Sequence, residues 1–195
     1  MPRRIVVNNS LTLDGVMQAP GDPDEDRRGG FEHGGWANAY FDPVMAEDAS
    51  KGMAGGGAML FGRRTYAQFA TVWPNMPSDN MFANVLNESQ KYVASRTLRE
   101  PLDWQPATLL RGDAANAIAE LKAQDGPDIV ILGSGDLIRS LMPHHLIDEY
   151  RLLIHPLVLG SGIRLFTDDT TLSRLRLVDS KPTTTGVIIA TYRPE

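Results

Sequence analysis

The sequence predicts an α/β domain built on a mostly parallel central sheet, with an antiparallel hairpin at the C-terminal end. Three observations carry that prediction. Short apolar, β-branched runs recur along the chain, at Ile5-Val6-Val7, Ala58 to Phe61 and Asp128 to Leu132. Helical segments lie between such runs, and strands alternating with helices give a parallel sheet covered on both faces. The last two runs, Leu175 to Asp179 and Val187 to Tyr192, are joined by a turn near Gly186, which reads as a hairpin.

The elements follow in order. After the first strand, Asn8 to Gly15 ends in an Asp-Gly turn signal. Gln18 to Gly35 is rich in Pro, Gly and charge, and so long a loop in a compact domain is usually functional or mobile. Asp42 suits the N-cap and Pro43 the first turn of a helix that runs to about Met53 and ends in Gly55-Gly56-Gly57. The second strand, Ala58 to Phe61, leads through Gly62 into a short helix ending near Ala70. Phe82 to Leu86 is helical, and Lys91 to Ser95 and Thr108 to Leu110 are strands. Ala114 to Ala123 is amphipathic, with Ile118 and Leu121 toward the core. The fifth strand, Asp128 to Leu132, passes through Gly133-Ser134-Gly135 into a helix carrying Leu137, Ile138, Leu141 and Met142. Tyr150 to Ile154 is a sixth strand, followed by a loop to Gly162.

At 195 residues the chain reads as one domain, 1–195, large enough to fold without a disulfide or a metal. It has no cysteine, which excludes thiolate metal sites and a thiol nucleophile and fits a reducing compartment. His33, His144, His145 and His155 lack metal-ligand spacing, so no metal is expected. No segment approaches the roughly 18 apolar residues of a membrane span. Met1-Pro2-Arg3-Arg4 runs straight into a strand without the apolar region of a signal peptide. A cytoplasmic location away from membranes is the expectation. The net charge of -5 argues against non-specific nucleic-acid binding. It leaves a small anionic cofactor open, because local charge decides that.

Three strand ends can hold phosphate. At Gly62-Arg63-Arg64-Thr65 a strand meets a helix start, whose free N–H groups attract anions; a capped surface helix with solvated arginines is the alternative. Ser95-Arg96 ends the third strand, where ligands of open α/β sheets lie. A Ser–Arg pair there can hold a 2′-phosphate, favouring NADPH over NADH, or can be an ordinary polar strand end. Gly133-Ser134-Gly135 is half of a dinucleotide fingerprint or simply a tight turn. All three belong to C-terminal strand ends, so one edge of a parallel sheet would display them together.

The ordered set of motifs resembles the dihydrofolate-reductase-like superfamily. Ser10-Leu11-Thr12-Leu13-Asp14-Gly15 is similar to its S-L-D-G opening, with one extra residue. Leu60 to Tyr66 resembles its G-R-x-T-[YW] motif, and Lys91 to Thr97 the strand that ends in Ser-Arg. Leu146-Ile147-Asp148-Glu149 and Pro156 to Gly162 look like patterns of one branch, the reductase domain of bifunctional riboflavin biosynthesis enzymes and stand-alone bacterial relatives. The resemblance implies a three-layer sandwich that binds NADPH and reduces a small molecule, and it makes a homodimer plausible. It implies cofactor contacts at Gly62, Arg63, Arg64 and Thr65, at Ser95 and Arg96, and at Gly133, Ser134, Gly135, Asp136 and Leu137. It places the nicotinamide beside Leu11, Gly15 and Val16. It leaves the substrate open: a small heterocycle or carbonyl compound, or a 5-amino-6-ribosylaminouracil-type substrate of riboflavin synthesis. A nucleotide-binding protein without turnover is the alternative from another class.

Hydride transfer belongs to the cofactor, and the protein orients it and supplies a proton. Asp14 is one candidate donor, or a turn residue. Asp42 is another, or an N-cap. Glu47 and Asp48, one turn on, read as solvated. Trp36, Phe41, Tyr66, Phe69 and Trp73 are candidates for an aromatic substrate pocket under a glycine-rich lid, with core packing as the alternative for at least half of them.

Overall fold

In the computed structural model the described residues are 2–54 and 57–195. Eight strands form one sheet: β1 (Ile5–Thr12), β2 (Ala58–Gly62), β3 (Lys91–Ala94), β4 (Ala107–Leu110), β5 (Ile129–Leu132), β6 (Glu149–His155), β7 (Leu175–Pro182) and β8 (Ile188–Pro194). Five α-helices accompany them: α1 (Pro43–Ala54), α2 (Arg63–Val72), α3 (Met81–Glu88), α4 (Ala114–Ala123) and α5 (Gly135–Leu141). The strand order is β4-β3-β2-β5-β1-β6-β8-β7. β4 through β6 run parallel, and β8 pairs antiparallel with both β6 and β7.

Strand alternation sorts the core into two layers. Leu60 of β2 and Ile129 and Ile131 of β5 pack with Ile118 and Leu121 of α4 and with Ile138 and Leu141 of α5. Their neighbours Met59 and Phe61 point to the other face, where Tyr66 of α2 and Leu86 of α3 cover them. Fully burying a side chain such as Leu60 or Phe61 contributes about 2 kcal/mol. A third, smaller cluster of Val16, Ala19, Phe31 and Trp36 anchors the long loop after β1. No helix among the described residues is long and apolar enough to cross a membrane.

The strand that opens the chain is longer than its apolar run predicts. It continues through Asn8, Asn9 and Ser10 to Thr12 with alternating burial, Ile5, Val7, Asn9 and Leu11 facing inward. Asn9 is tolerated there because its amide is paired. Its Nδ2 donates to the Gly133 carbonyl at 3.3 Å, and its Oδ1 accepts from the Gly133 N–H at 2.8 Å. The loop from Gln18 to Gly35 is tied down in the same way. The Gln18 amide donates to the Asp26 and Arg28 carbonyls and accepts from Ile163 N–H, and the Trp36 indole donates to the Gln18 carbonyl. The Gly55-Gly56 end expected for the first helix lies outside the described residues. Asp48, expected to be solvated, instead pairs with Arg151 of β6.

Candidate functional site

Parallel register brings the predicted strand ends level. Gly62 of β2 lies opposite Ala94 of β3, and Asn8 of β1 opposite Leu132 of β5. The loops that leave these ends therefore share one rim. Along it runs a groove of about 250 Å³, walled by Gly62, Arg63, Ser95, Arg96, Gly112, Asp136 and Leu137 among others.

Two glycine turns interlock at the centre of that rim. The Gly62 N–H donates to the Ser134 hydroxyl at 3.1 Å, and the Ser134 N–H donates to the Thr65 hydroxyl at 3.1 Å. Gly133 and Ser134 both adopt left-handed backbone, at φ +60° and +56°. A Cβ on Gly133 would stand 3.3 Å from Thr65 Cγ2, so a left-handed turn this close to α2 calls for glycine. The start of α2 is capped by no side chain, and its first N–H groups are the kind that attract an anion.

Gly62 bears on whether a cofactor fits. Its φ of -77° and ψ of 162° suit any residue. A Cβ there would meet nothing nearer than Leu137 Cβ at 3.8 Å. The fold itself does not demand a glycine at this point of the groove wall, whereas a ligand approaching the backbone closely does. The two arginines of the groove, Arg63 and Arg96, are exposed. Arg64 pairs with Asp136 at 3.4 Å, and Asp136 also meets Arg139. The Ser95 hydroxyl accepts from Thr97 and Leu98 N–H groups, which leaves its own proton to donate.

A second cavity of about 250 Å³ opens between the loop after β1 and the loop after β6. It is lined by Gln18, Arg28, Gly29, Gly30, Phe31, Ser161, Gly162 and Ile163. Met17, next to Gln18, packs against Gly135, where a Cβ would fall 2.6 Å from the Met17 sulfur. The two cavities thus flank one contact between the β1 loop and the turn before α5. Asn9, Met17 and Gln18 are structural parts of this region that sequence reasoning missed. The signal was available for Asn9, an amide at a position whose period-two neighbours Val7 and Leu11 are core.

Other predicted site residues lie elsewhere. Leu11 and Val16 are buried in core clusters; strand alternation turns Leu11 inward, so neither side chain faces the rim. Tyr66, Phe69 and Trp73 form no pocket with Trp36. They pack with Phe61, Phe82 and Trp104 on the α2 and α3 face, because Tyr66 and Phe69, three apart on α2, share its buried stripe and Trp73 carries that stripe into the 3-10 turn after the helix. Phe41 is exposed.

The two candidate proton donors are both engaged. Asp14 accepts from the Thr12 hydroxyl at 2.6 Å and from Leu159 and Gly160 N–H groups, with Arg164 at 3.5 Å. The Thr12 bond, helped by those N–H donors, holds its carboxyl down at about 2, so it is ionised at neutral pH. Asp42 caps α1 through Met45 N–H at 2.9 Å, and its other oxygen accepts from Thr184 N–H and hydroxyl at 2.6 and 2.7 Å. Burial pushes this carboxyl up, but the bonds from Thr184 and Met45 outweigh that and hold it below its ordinary value. Both acids staple loops and are held ionised, which is the wrong form for donating a proton.

Residues 3–189 match the family of the RibD C-terminal domain. The chain belongs to the RibD C-terminal domain family. The chain is similar to the uncharacterised protein YyaP of Bacillus subtilis, 28% identical over 193 residues, which covers 97% of this chain and 94% of that protein. A Shewanella sp. PV-4 protein named for riboflavin biosynthesis is 21% identical, with a TM-score of 0.72 over 100% of this chain and 99% of that one. A dihydrofolate reductase from Enterococcus faecalis, at 12% identity, has a TM-score of 0.61 over 98% and 96%. The RibD C-terminal domain is accordingly dihydrofolate-reductase-like in this chain, an α/β sandwich with a mostly parallel sheet and antiparallel C-terminal strands.

Proposed function

We propose that this chain is an NADPH-dependent reductase that transfers a hydride to a small heterocyclic or carbonyl substrate. The convergence of Gly62, Arg63, Ser95, Arg96 and Leu137 on one groove carries the reading. Membership of the RibD C-terminal domain family supports it. Arg63, Arg64 and the open start of α2 take the phosphates, with Thr65 and the Gly133 to Leu137 turn beside them. Ser95 and Arg96 take the adenosine 2′-phosphate. The cavity beyond Met17, between Gly29-Gly30 and Ser161-Gly162, receives the nicotinamide end. Bound NADPH supplies the hydride, while the chain's own groups orient it and keep water away.

A fluorescence titration with NADPH tests this. Binding tighter than millimolar is expected, weakened roughly tenfold by Arg63→Ala and by Arg96→Ala, since each removes a charge-assisted phosphate contact. Binding weaker than millimolar that neither substitution changes removes the basis of the reading. Steady NADPH oxidation with a member of a carbonyl and pteridine panel separates a reductase from a nucleotide-binding protein without turnover.

A further inference from the structure

Strand β5 leaves the sheet at a point that a side chain of β1 holds. The parallel register of the two strands ends with Asn8 opposite Leu132. One step on, Gly133 turns left-handed at φ +60°, and the Asn9 side chain takes the place of the backbone ladder. Its Nδ2 donates to the Gly133 carbonyl at 3.3 Å, and its Oδ1 accepts from the Gly133 N–H at 2.8 Å. A primary amide carries a donor and an acceptor side by side, so it satisfies both backbone groups of one residue. Asn9 is only 4% exposed. Packing alone would be served by an apolar side chain, as at Val7 and Leu11 on the same face of β1.

The turn that Asn9 grips needs holding. Ser134 follows Gly133 and is also left-handed, at φ +56°. That backbone costs a residue with a Cβ roughly 1–2 kcal/mol, and it persists where the surroundings fix it from more than one side. On the α2 side, Thr65 and Gly62 fix Ser134 through its N–H and its hydroxyl. On the β1 side, Asn9 fixes Gly133. The turn then runs into Asp136 and Leu137, which wall the groove together with Gly62. Asn9 lines neither cavity, so it reaches the groove only through this turn.

We infer that Asn9 is a positioning residue for the cofactor: its amide holds the Gly133-Ser134 turn in the shape that the dinucleotide meets, and it touches no ligand itself. The dinucleotide as occupant rests on the reductase reading above. Both halves of the amide are needed. Without the donor, the Gly133 carbonyl loses its partner at the point where β5 must turn, and the turn relaxes at the expense of the groove wall.

Asn9→Asp tests the inference, because it keeps the shape of the side chain and makes the donor depend on pH. Ionised, the new carboxylate accepts from the Gly133 N–H but turns a second acceptor toward the Gly133 carbonyl; protonated, it offers one donor and one acceptor as the amide does. Burial and the facing carbonyl raise the pKa of such an acid, which brings the change within reach of mild pH. The probe is NADP⁺, the product form of the cofactor, which survives mild acid. Its own phosphate titrates at roughly 6. Of the elements beside Asn9, β5 carries no titratable group, α5 carries Asp136 and Arg139, and β6 carries Glu149, Tyr150, Arg151 and His155. Each affinity is therefore taken relative to the parent protein at the same pH, which has the same groups. At about pH 8 the variant should bind about tenfold more weakly than the parent, and at about pH 5.5 within about twofold of it. Asn9→Leu, with a similar shape and no polar atom, should bind weakly at both. A lower melting temperature with parental affinity, or a loss in Asn9→Asp that acid does not restore, overturns the inference. In the unaltered protein, saturation with NADP⁺ should shift the side-chain amide resonances of Asn9 together with the Gly133 N–H. Unmoved Asn9 resonances overturn the inference, and this measurement decides alone if the variants do not fold. A parent that fails to bind NADP⁺ removes the reductase reading and this inference together, whereas a parent that binds while the variants match it removes the inference only.

Discussion

Thr12 and Asp14 close the end of β1 onto the loop after β6, and they do it with charge. The Asp14 carboxyl, held at about 2, would titrate at about 3.9 in an unfolded chain. A carboxyl depressed by folding stabilises the folded state above its unfolded value, and that contribution fades as pH falls through the folded value. The Asp14 contribution is therefore complete above about pH 4 and disappears as the pH approaches about 2. Asp14→Asn should lower stability at neutral pH by roughly 1 kcal/mol, a small figure because solvent reaches the carboxylate. It should also flatten the loss of stability between about pH 4 and pH 2. Urea melts of both proteins across that range measure both effects; parallel curves would mean that the Thr12, Leu159 and Gly160 bonds do not set the titration. The Asp-Gly signal located this turn in the sequence. The partners at Leu159 and Gly160 lie some 145 residues away, beyond any local pattern.

Among the elements, α1 shows what a local rule can and cannot convey. Asp-Pro at a helix start reads as an N-cap, and Asp42 does accept from Met45 N–H. Its second oxygen fastens the turn between β7 and β8 through Thr184, a tertiary link with no trace in the neighbouring residues. Asp42→Ala should therefore loosen the helix start and the hairpin turn together. A lower melting temperature with NADPH affinity unchanged is the expected outcome, followed by thermal denaturation and titration on one sample. A variant that melts like the parent protein would contradict the double staple. Helix α2 teaches the reverse lesson. Tyr66, Phe69 and Trp73 stand at helical core spacing, and that period already pointed inward; reading them as a pocket gave weight to residue type over period. Tyr66 even meets its own polar needs inside, accepting from Trp104 N–H at 2.7 Å and donating to the Trp104 carbonyl at 3.2 Å.

At the scale of the whole molecule, strands and helices were legible because period and turn chemistry are local, whereas neighbourhood in the sheet was not. Nothing within β2 says that β5 lies beside it, yet that pairing carries Gly62 to Ser134 across 72 residues. The expectation that parallel strand ends share an edge supplied the missing step, and the level register of β1, β2, β3 and β5 is the physical reason it served. A site assembled this way can be tested apart from the fold that assembles it, and Gly62 is the place to do so. Alanine suits its backbone, and its Cβ would find only ordinary contacts at 3.8 and 3.9 Å. Replacing glycine at a compatible position reduces the freedom of the unfolded chain and stabilises by about 0.4–1 kcal/mol. Gly62 is also the N-cap of α2, where alanine is poorer than glycine by a similar amount, so Gly62→Ala should leave the denaturation midpoint about unchanged. In the groove the same methyl group takes up space that a phosphate approaching the backbone would need, and NADPH affinity should fall by at least about tenfold. A variant that is both as stable and as tight-binding as the parent would show that the ligand keeps its distance from this strand end. One that loses stability would show that the glycine serves the packing of Leu137 and Ser134 instead.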